Sequence, residues 1–140
     1  MKTKFDSVVK VKKQKVDAIE RNLQKINVSI QNLNTKIEEL TKTLLSFTFP
    51  KEGNFALLNQ IKHQQHIIRD EIQNLKNQIM VLESRKKELL EELKKANIDY
   101  EKMKYLQAEE IKKMIKEKKL KESRDLDEIA ILLRKNGESE

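Results

Sequence analysis

Residues 47–54 read Phe-Thr-Phe-Pro-Lys-Glu-Gly-Asn, and the rest of the chain takes its meaning from them. Pro50 biases Phe49 away from the helical region, and Gly53 is free to adopt a positive φ. Asn54 stands where an N-cap belongs, with a new apolar pattern opening behind it. This is the only cluster of helix breakers before the last residues, where Gly137 stands. One break between two long helix-forming stretches predicts a helix, a turn and a second helix.

Upstream of the break, the 3, 4 spacing runs through Phe5, Val9, Lys12, Val16, Ile19, Leu23, Ile26, Ile30, Leu33, Ile37, Leu40, Leu44 and Phe47. Lys12 is the one polar position, so the series is an a/d heptad seam. Downstream, the same spacing passes through Leu58, Ile61, Gln65, Ile68, Ile72, Leu75, Ile79, Leu82, Lys86, Leu89, Leu93, Ala96, Tyr100 and Met103. Gln65 and Lys86 are its exceptions. If the chain folds back at residues 52 and 53, positions whose numbers sum to 105 face each other and each a meets a d. That register pairs Phe5 with Tyr100, Ile30 with Leu75 and Lys12 with Leu93. Lys12 and Lys86 are read as tolerated seam positions whose long stems lie along apolar surface while the ammonium reaches water.

The expected fold is all-α: a single domain forming a long two-helix antiparallel coiled-coil hairpin with a C-terminal helical overhang. Helix 1 is placed at about 4–47, the turn at 48–54, helix 2 at about 55–135 and a tail at 136–140. At a rise of about 1.5 Å per residue the pair spans about 65 Å. Residues from 104 onward then continue for roughly 45 Å without an intramolecular partner. Their seam is degraded, because Gln107 and Glu110 occupy the next a and d sites and Ile111, Met114 and Ile115 return out of phase.

Composition narrows the function. The 140 residues include 30 Lys and Arg against 23 Asp and Glu, a net charge of +7, with 37% hydrophobic and 4% aromatic residues. Such a chain closes one narrow seam rather than a layered core around a substrate pocket, which argues against an enzyme. Ser7, Ser29, Ser46, Ser84, Ser123 and Ser139 have no base within reach on a two-helix framework. His63 and His66 lack the further ligands that zinc requires, and there is no cysteine. No glycine-rich phosphate loop is present. Catalytic, cofactor and metal sites are therefore expected to be absent. Lysines near the start are followed by no apolar h-region, and the longest apolar run is Ile129 to Leu133, so the reading is a cytosolic protein without a signal peptide or a membrane span.

Charge and exposed apolar residues mark the candidate surfaces. Lys112, Lys113, Lys116, Lys118, Lys119, Lys121 and Arg124 face only Glu117 and Glu122 in their stretch, and six lysines crowd residues 1–15 beside Asp6. This excess is either the solvated face of a helix or a means of steering toward an acidic partner. Leu126, Ile129, Ala130, Ile131, Leu132 and Leu133 form an apolar cluster on a helix with no partner, which calls for a covering surface. Around the turn, Leu45, Phe49, Phe55, Leu57 and Ile67 lie off the seam and either staple the loop or form a small interaction patch.

Two stretches carry a resemblance. The opening Met1-Lys-Thr-Lys-Phe-Asp-Ser-Val-Val-Lys-Val-Lys-Lys-Gln-Lys-Val-Asp17 is similar to the start of the flagellar export protein family FliJ. Lys121-Glu-Ser-Arg-Asp-Leu-Asp-Glu-Ile-Ala130 resembles that family's C-terminal signature, with Ile129 in place of a leucine. The resemblance implies a cytoplasmic, nonenzymatic stalk of the flagellar type III export apparatus, at the cytoplasmic face of the basal body and peripheral to the membrane through its partners. Those implied partners are the hexameric export ATPase and its regulator, the cytoplasmic domain of the export gate, and export chaperones. On this reading Leu126, Asp127, Glu128, Ile129, Leu132 and Leu133, with Lys118, Lys119 and Lys121, contact the ATPase. The turn region departs from the family's usual aromatic pattern, and Phe55, Leu57, Leu58 and Ile61 are the candidates there for the gate or a chaperone. Competing readings are the equivalent stalk of a virulence secretion system, a homodimeric scaffold whose seams pair between chains, and a basic nucleic-acid-binding coiled-coil arm. Few aromatics and interspersed acids speak against the last, so no nucleic acid is expected.

Overall fold

A computed structural model of the chain describes residues 1–50 and 53–138. It contains two helices, α1 (Asp6–Leu45) and α2 (Phe55–Glu138), packed against each other, with no strand among the described residues. The expected all-α helix pair is what forms. Of the turn placed at 48–54, Lys51 and Glu52 lie outside the described residues, as do Ser139 and Glu140 of the tail placed at 136–140.

Each helix end has a local chemical cause. At the start of α1, Thr3-Lys-Phe-Asp6 is a capping box. The Thr3 hydroxyl oxygen accepts the Phe5 N–H at 3.2 Å, while the Asp6 carboxylate reaches back to accept the Thr3 N–H at 3.1 Å and the Thr3 hydroxyl at 2.7 Å. At the other end, Thr41 and Thr43 donate their hydroxyls to carbonyls one turn earlier, at 2.7 and 3.1 Å. The Ser46 N–H is shared between the Lys42 and Thr43 carbonyls, each at 3.1 Å, and the helix ends there. Asn54 caps α2 as its position suggested: its Oδ1 accepts the Ala56 N–H at 3.1 Å and its carbonyl accepts the Leu58 N–H at 3.1 Å. Gly53 is free to adopt a positive φ, yet no described glycine has one. Gly137 does not stop α2 either, and the helix runs through it to Glu138.

The heptad reading holds at every seam position. All thirteen upstream and all fourteen downstream seam residues are buried or half-buried. The chain divides into two compact units, Met1–Val16 with Ala96–Glu140, and Asp17–Lys95. In the first, Val16 and Ala96 are almost wholly covered. In the second, the covered residues are Ile19, Leu23, Leu75, Leu89 and the seam glutamine Gln65. No described side chain has a buried nitrogen or oxygen without a hydrogen-bond partner.

The register differs from the expected one. In the first unit Gln107 Nε2 donates to Asp6 Oδ1 at 2.9 Å, the Lys12 ammonium lies 4.0 Å from Asp99, and the Lys13 ammonium sits 5.5 Å from the centre of the Tyr100 ring. These pairs sum to 113, 111 and 113, which centres the register near 112. Within this unit the helices have therefore slipped by one heptad from the 105 pairing, and Tyr100 meets Lys13 where Phe5 was expected. A shift of seven residues keeps every a and d position on the seam, so apolar spacing alone cannot choose between the two. Lys12, read as a tolerated intrusion, has a carboxylate neighbour.

The slip also moves the start of the overhang. Gln107, Glu110, Ile111 and Met114 remain half-buried, so the segment without a partner begins at Ile115 rather than at residue 104. Gln107, which looked like a flaw in the seam, helps fix the start of α1. The hydroxyl of Thr3, the amide of Gln107 and the N–H of Thr3 together lower the Asp6 pKa from 3.8 to about 2. A depressed carboxylate contributes stability that is fully present above its ordinary pKa and is lost as pH falls through the folded value. The Thr3 and Phe5 amide NMR signals should thus hold their folded positions at pH 4 and move toward unfolded ones as pH falls through about 2. In Asp6→Ala the same signals should be shifted already at neutral pH.

Candidate functional site

From Ile115 to Gly137 every residue of α2 is exposed. The local sequence explains why this stretch is helical without a partner. It is dense in Lys, Glu and Leu, which lose little on entering a helix, and it contains no proline. Lys135 in the last turn complements the helix dipole.

At 100° per residue the exposed apolar side chains sort into faces. Leu126, Ile129, Ala130 and Leu133 fall on one stripe, and Leu126 and Leu133 each leave 67% of their surface to solvent. Lys118 and Lys119 lie on the same side one to two turns earlier. Leu132, Lys121 and Glu128 lie on one side of the stripe, toward the seam positions, Asp127 lies on the other, and Ile131 is nearly opposite. Helical geometry thus gathers Leu126, Ile129, Leu133, Lys118 and Lys119 from the candidate contact and sets Leu132, Lys121, Glu128 and Asp127 off that face. The stripe is also rotated by about 100° from the line through Met103, Gln107, Glu110 and Met114. It therefore does not prolong the seam that α1 occupies. Seam positions beyond Met114 are filled by Glu117, Lys121, Arg124 and Glu128 instead.

Around the connection, Leu45, Phe49, Phe55, Leu57 and Ile67 are all exposed, with Leu45 at 79% and Phe55 at 75%. A loop stapled by its own aromatic residues would cover them. Leu58 and Ile61 are half-buried, as seam residues are. Of the four candidates near the turn, Phe55 and Leu57 are thus available for contact over much of their surface, whereas Leu58 and Ile61 are partly committed to the seam.

One surface escaped the reading of the sequence. Ile98, Tyr105 and Leu106 are exposed and line a shallow groove with Asn97, Glu101 and Lys102. The i, i+7 spacing of Ile98 and Tyr105 was the available signal, but the stronger seam at Ala96, Tyr100 and Met103 masks it. The ammonium groups of Lys13 and Lys104 lie over the Tyr100 ring, at 5.5 and 5.2 Å from its centre.

The described residues hold no group of three or more His, Cys, Asp or Glu placed to bind a metal ion. His66 Nε2 lies 3.3 Å from Asp70 on an exposed face. No helix among them is long and apolar enough to cross a membrane. A family model described as the flagellar FliJ protein matches residues 1–139. No curated protein and no solved structure gives a significant match.

Proposed function

The chain belongs to the flagellar FliJ family, and from that premise we propose that it is a stalk that binds the hexameric export ATPase through the exposed stretch after Met114. Family membership makes it a component of flagellar type III protein export, in a family without catalytic activity. In the proposed arrangement the Leu126, Ile129 and Leu133 stripe enters an apolar collar of the ATPase ring, and Lys118 and Lys119 meet carboxylates at its mouth. The exposed residues around the connection, Phe55 and Leu57 among them, contact the cytoplasmic domain of the export gate or an export chaperone. The ATPase regulator belongs to the same assembly, which stands at the cytoplasmic face of the basal body and reaches the membrane only through its partners.

The observation that carries this reading is the exposure of every residue from Ile115 to Gly137 despite the apolar stripe within it. Burying one Leu or Ile contributes roughly 1.5–3 kcal/mol, so three on one face outweigh a substantial part of the cost of association. The basic residues accelerate encounter with an acidic rim rather than supplying most of the affinity.

Deleting residues 124–140 tests the assignment. Association with the purified export ATPase should fall by more than tenfold, because the whole stripe is removed. Thermal unfolding of the remaining helix pair should be nearly unchanged, because no described residue in that stretch is buried. Undiminished binding by the truncated chain would remove the C-terminal assignment.

A further inference from the structure

The segment that carries the stripe is nearly its own mirror image. Ile115, Lys118, Glu122, Leu126 and Ile129 are spaced by 3, 4, 4 and 3 residues, and Ile111 and Leu133 extend the series by 4 on each side. A series that reads alike from both ends is what an antiparallel pair of identical helices requires, with Glu122 on the two-fold axis. In that register partners sum to 244, so Ile115 meets Ile129 of the second copy and Ile111 meets its Leu133.

The flanking charges are mirrored with opposite sign. On one edge of the stripe stands Asp125, and the two-fold brings to it Lys118 and Lys121 of the second copy. Among the described residues, none of these three charged groups forms an ion pair within the chain. In a parallel pair each of them would meet its own like. From Ile115 onward the series lies beyond the half-buried part of α2, so α1 does not block the approach there.

We infer that this face is a self-association surface on which a second copy of the chain pairs antiparallel through residues 111–133. The aliphatic residues toward the two ends of the series supply the apolar contact. At its middle, the stem of Lys118 lies across Leu126 of the second copy while its ammonium reaches Asp125. The pairing does not depend on the ATPase reading, although one stripe cannot serve a second copy and a ring at once.

The full chain, the variant Asp125→Lys and the double variant Lys118→Asp/Lys121→Asp test this by sedimentation equilibrium. All three substitutions are at exposed positions, so circular dichroism should be unchanged. The native chain should pass from one mass toward twice that mass as its concentration rises through the micromolar range. Each variant should lose about tenfold in self-affinity, since attraction on the Asp125 edge becomes repulsion. An equimolar mixture of the two should regain the loss, because the reversed charges are complementary between them. Orientation is read from disulfides, since the chain has no cysteine of its own. Glu122→Cys should crosslink to its own copy, while Leu126→Cys, displaced by eight residues or about 12 Å along the axis, should not. The inference is overturned by a native chain that keeps a single mass throughout, by a mixture no tighter than its components, or by equal crosslinking at both positions.

Discussion

The double variant Val16→Cys/Ala96→Cys should oxidise to an intramolecular disulfide that stabilises the chain by about 4–5 kcal/mol relative to the same variant reduced. This magnitude is the chain-entropy estimate for closing a loop of about 80 residues. The prediction rests on register. Val16 and Ala96 are 2% and 3% exposed, and they share the offset set by Gln107 with Asp6, Lys12 with Asp99 and Lys13 with Tyr100. Comparing oxidised with reduced forms cancels the loss of the native valine from the seam. Phe5→Cys/Tyr100→Cys provides the opposing arrangement, because the slipped register leaves those positions about 10 Å apart along the axis. That is beyond the span of a disulfide. A crosslink in the second variant and none in the first would restore the unslipped pairing. Equilibrium unfolding with and without reductant reads both.

Leu89→Ala is expected to destabilise the chain by about 2–5 kcal/mol, whereas Leu90→Ala changes stability by no more than about 0.5 kcal/mol. The two leucines are adjacent, share a helix and lose the same atoms on truncation. They differ in face: Leu89 is 2% exposed and Leu90 is 48% exposed. On a narrow seam the missing side chain leaves a gap that its neighbours fill only in part, so the cost combines lost transfer free energy with lost contacts. Urea midpoints at unchanged slope would measure it. Equal effects at the two positions would contradict the seam.

The same contrast marks what apolar spacing can reveal. Every seam position it identified turns inward, down to the seam glutamine and the two seam lysines, because inward and outward positions differ in water exposure. It could not locate the partner level, because a heptad slip leaves every inward residue inward. The level is instead associated with particular polar contacts, those of Asp6 with Gln107 and Lys12 with Asp99. Neither pair has a spacing signature, since each joins residues far apart in sequence. The capping box at Thr3 and Asp6 was visible in principle, but its extension to Gln107 was not.

The candidate surfaces were legible to a similar degree. Leu45, Phe49, Phe55, Leu57 and Ile67 fall off the seam and are exposed, as are Leu126, Ile129, Leu132 and Leu133. Counting exposed residues does not reveal that Glu128 and Leu126 occupy different faces, nor that the bare segment starts at Ile115. The first follows from helical rotation and the second from the slip. The groove at Ile98 and Tyr105 shows the limit of a search for the strongest period, since a weaker stripe on the same helix is concealed beneath it.

The contact between Asp6 and Gln107 has a kinetic consequence. A chain of this topology can close from its connection outward, forming contacts near in sequence before those far apart. Every heptad-slipped closure along that route buries much of the same apolar surface, so the slipped forms are nearly as stable as the correct one until the chain ends meet. A hydrogen bond spanning 101 residues is among the last to form. It checks the alignment of everything that closed before it, so loss of the Gln107 amide should narrow the preference for the aligned pair over slipped ones while leaving the rate at which misaligned chains reopen nearly unchanged.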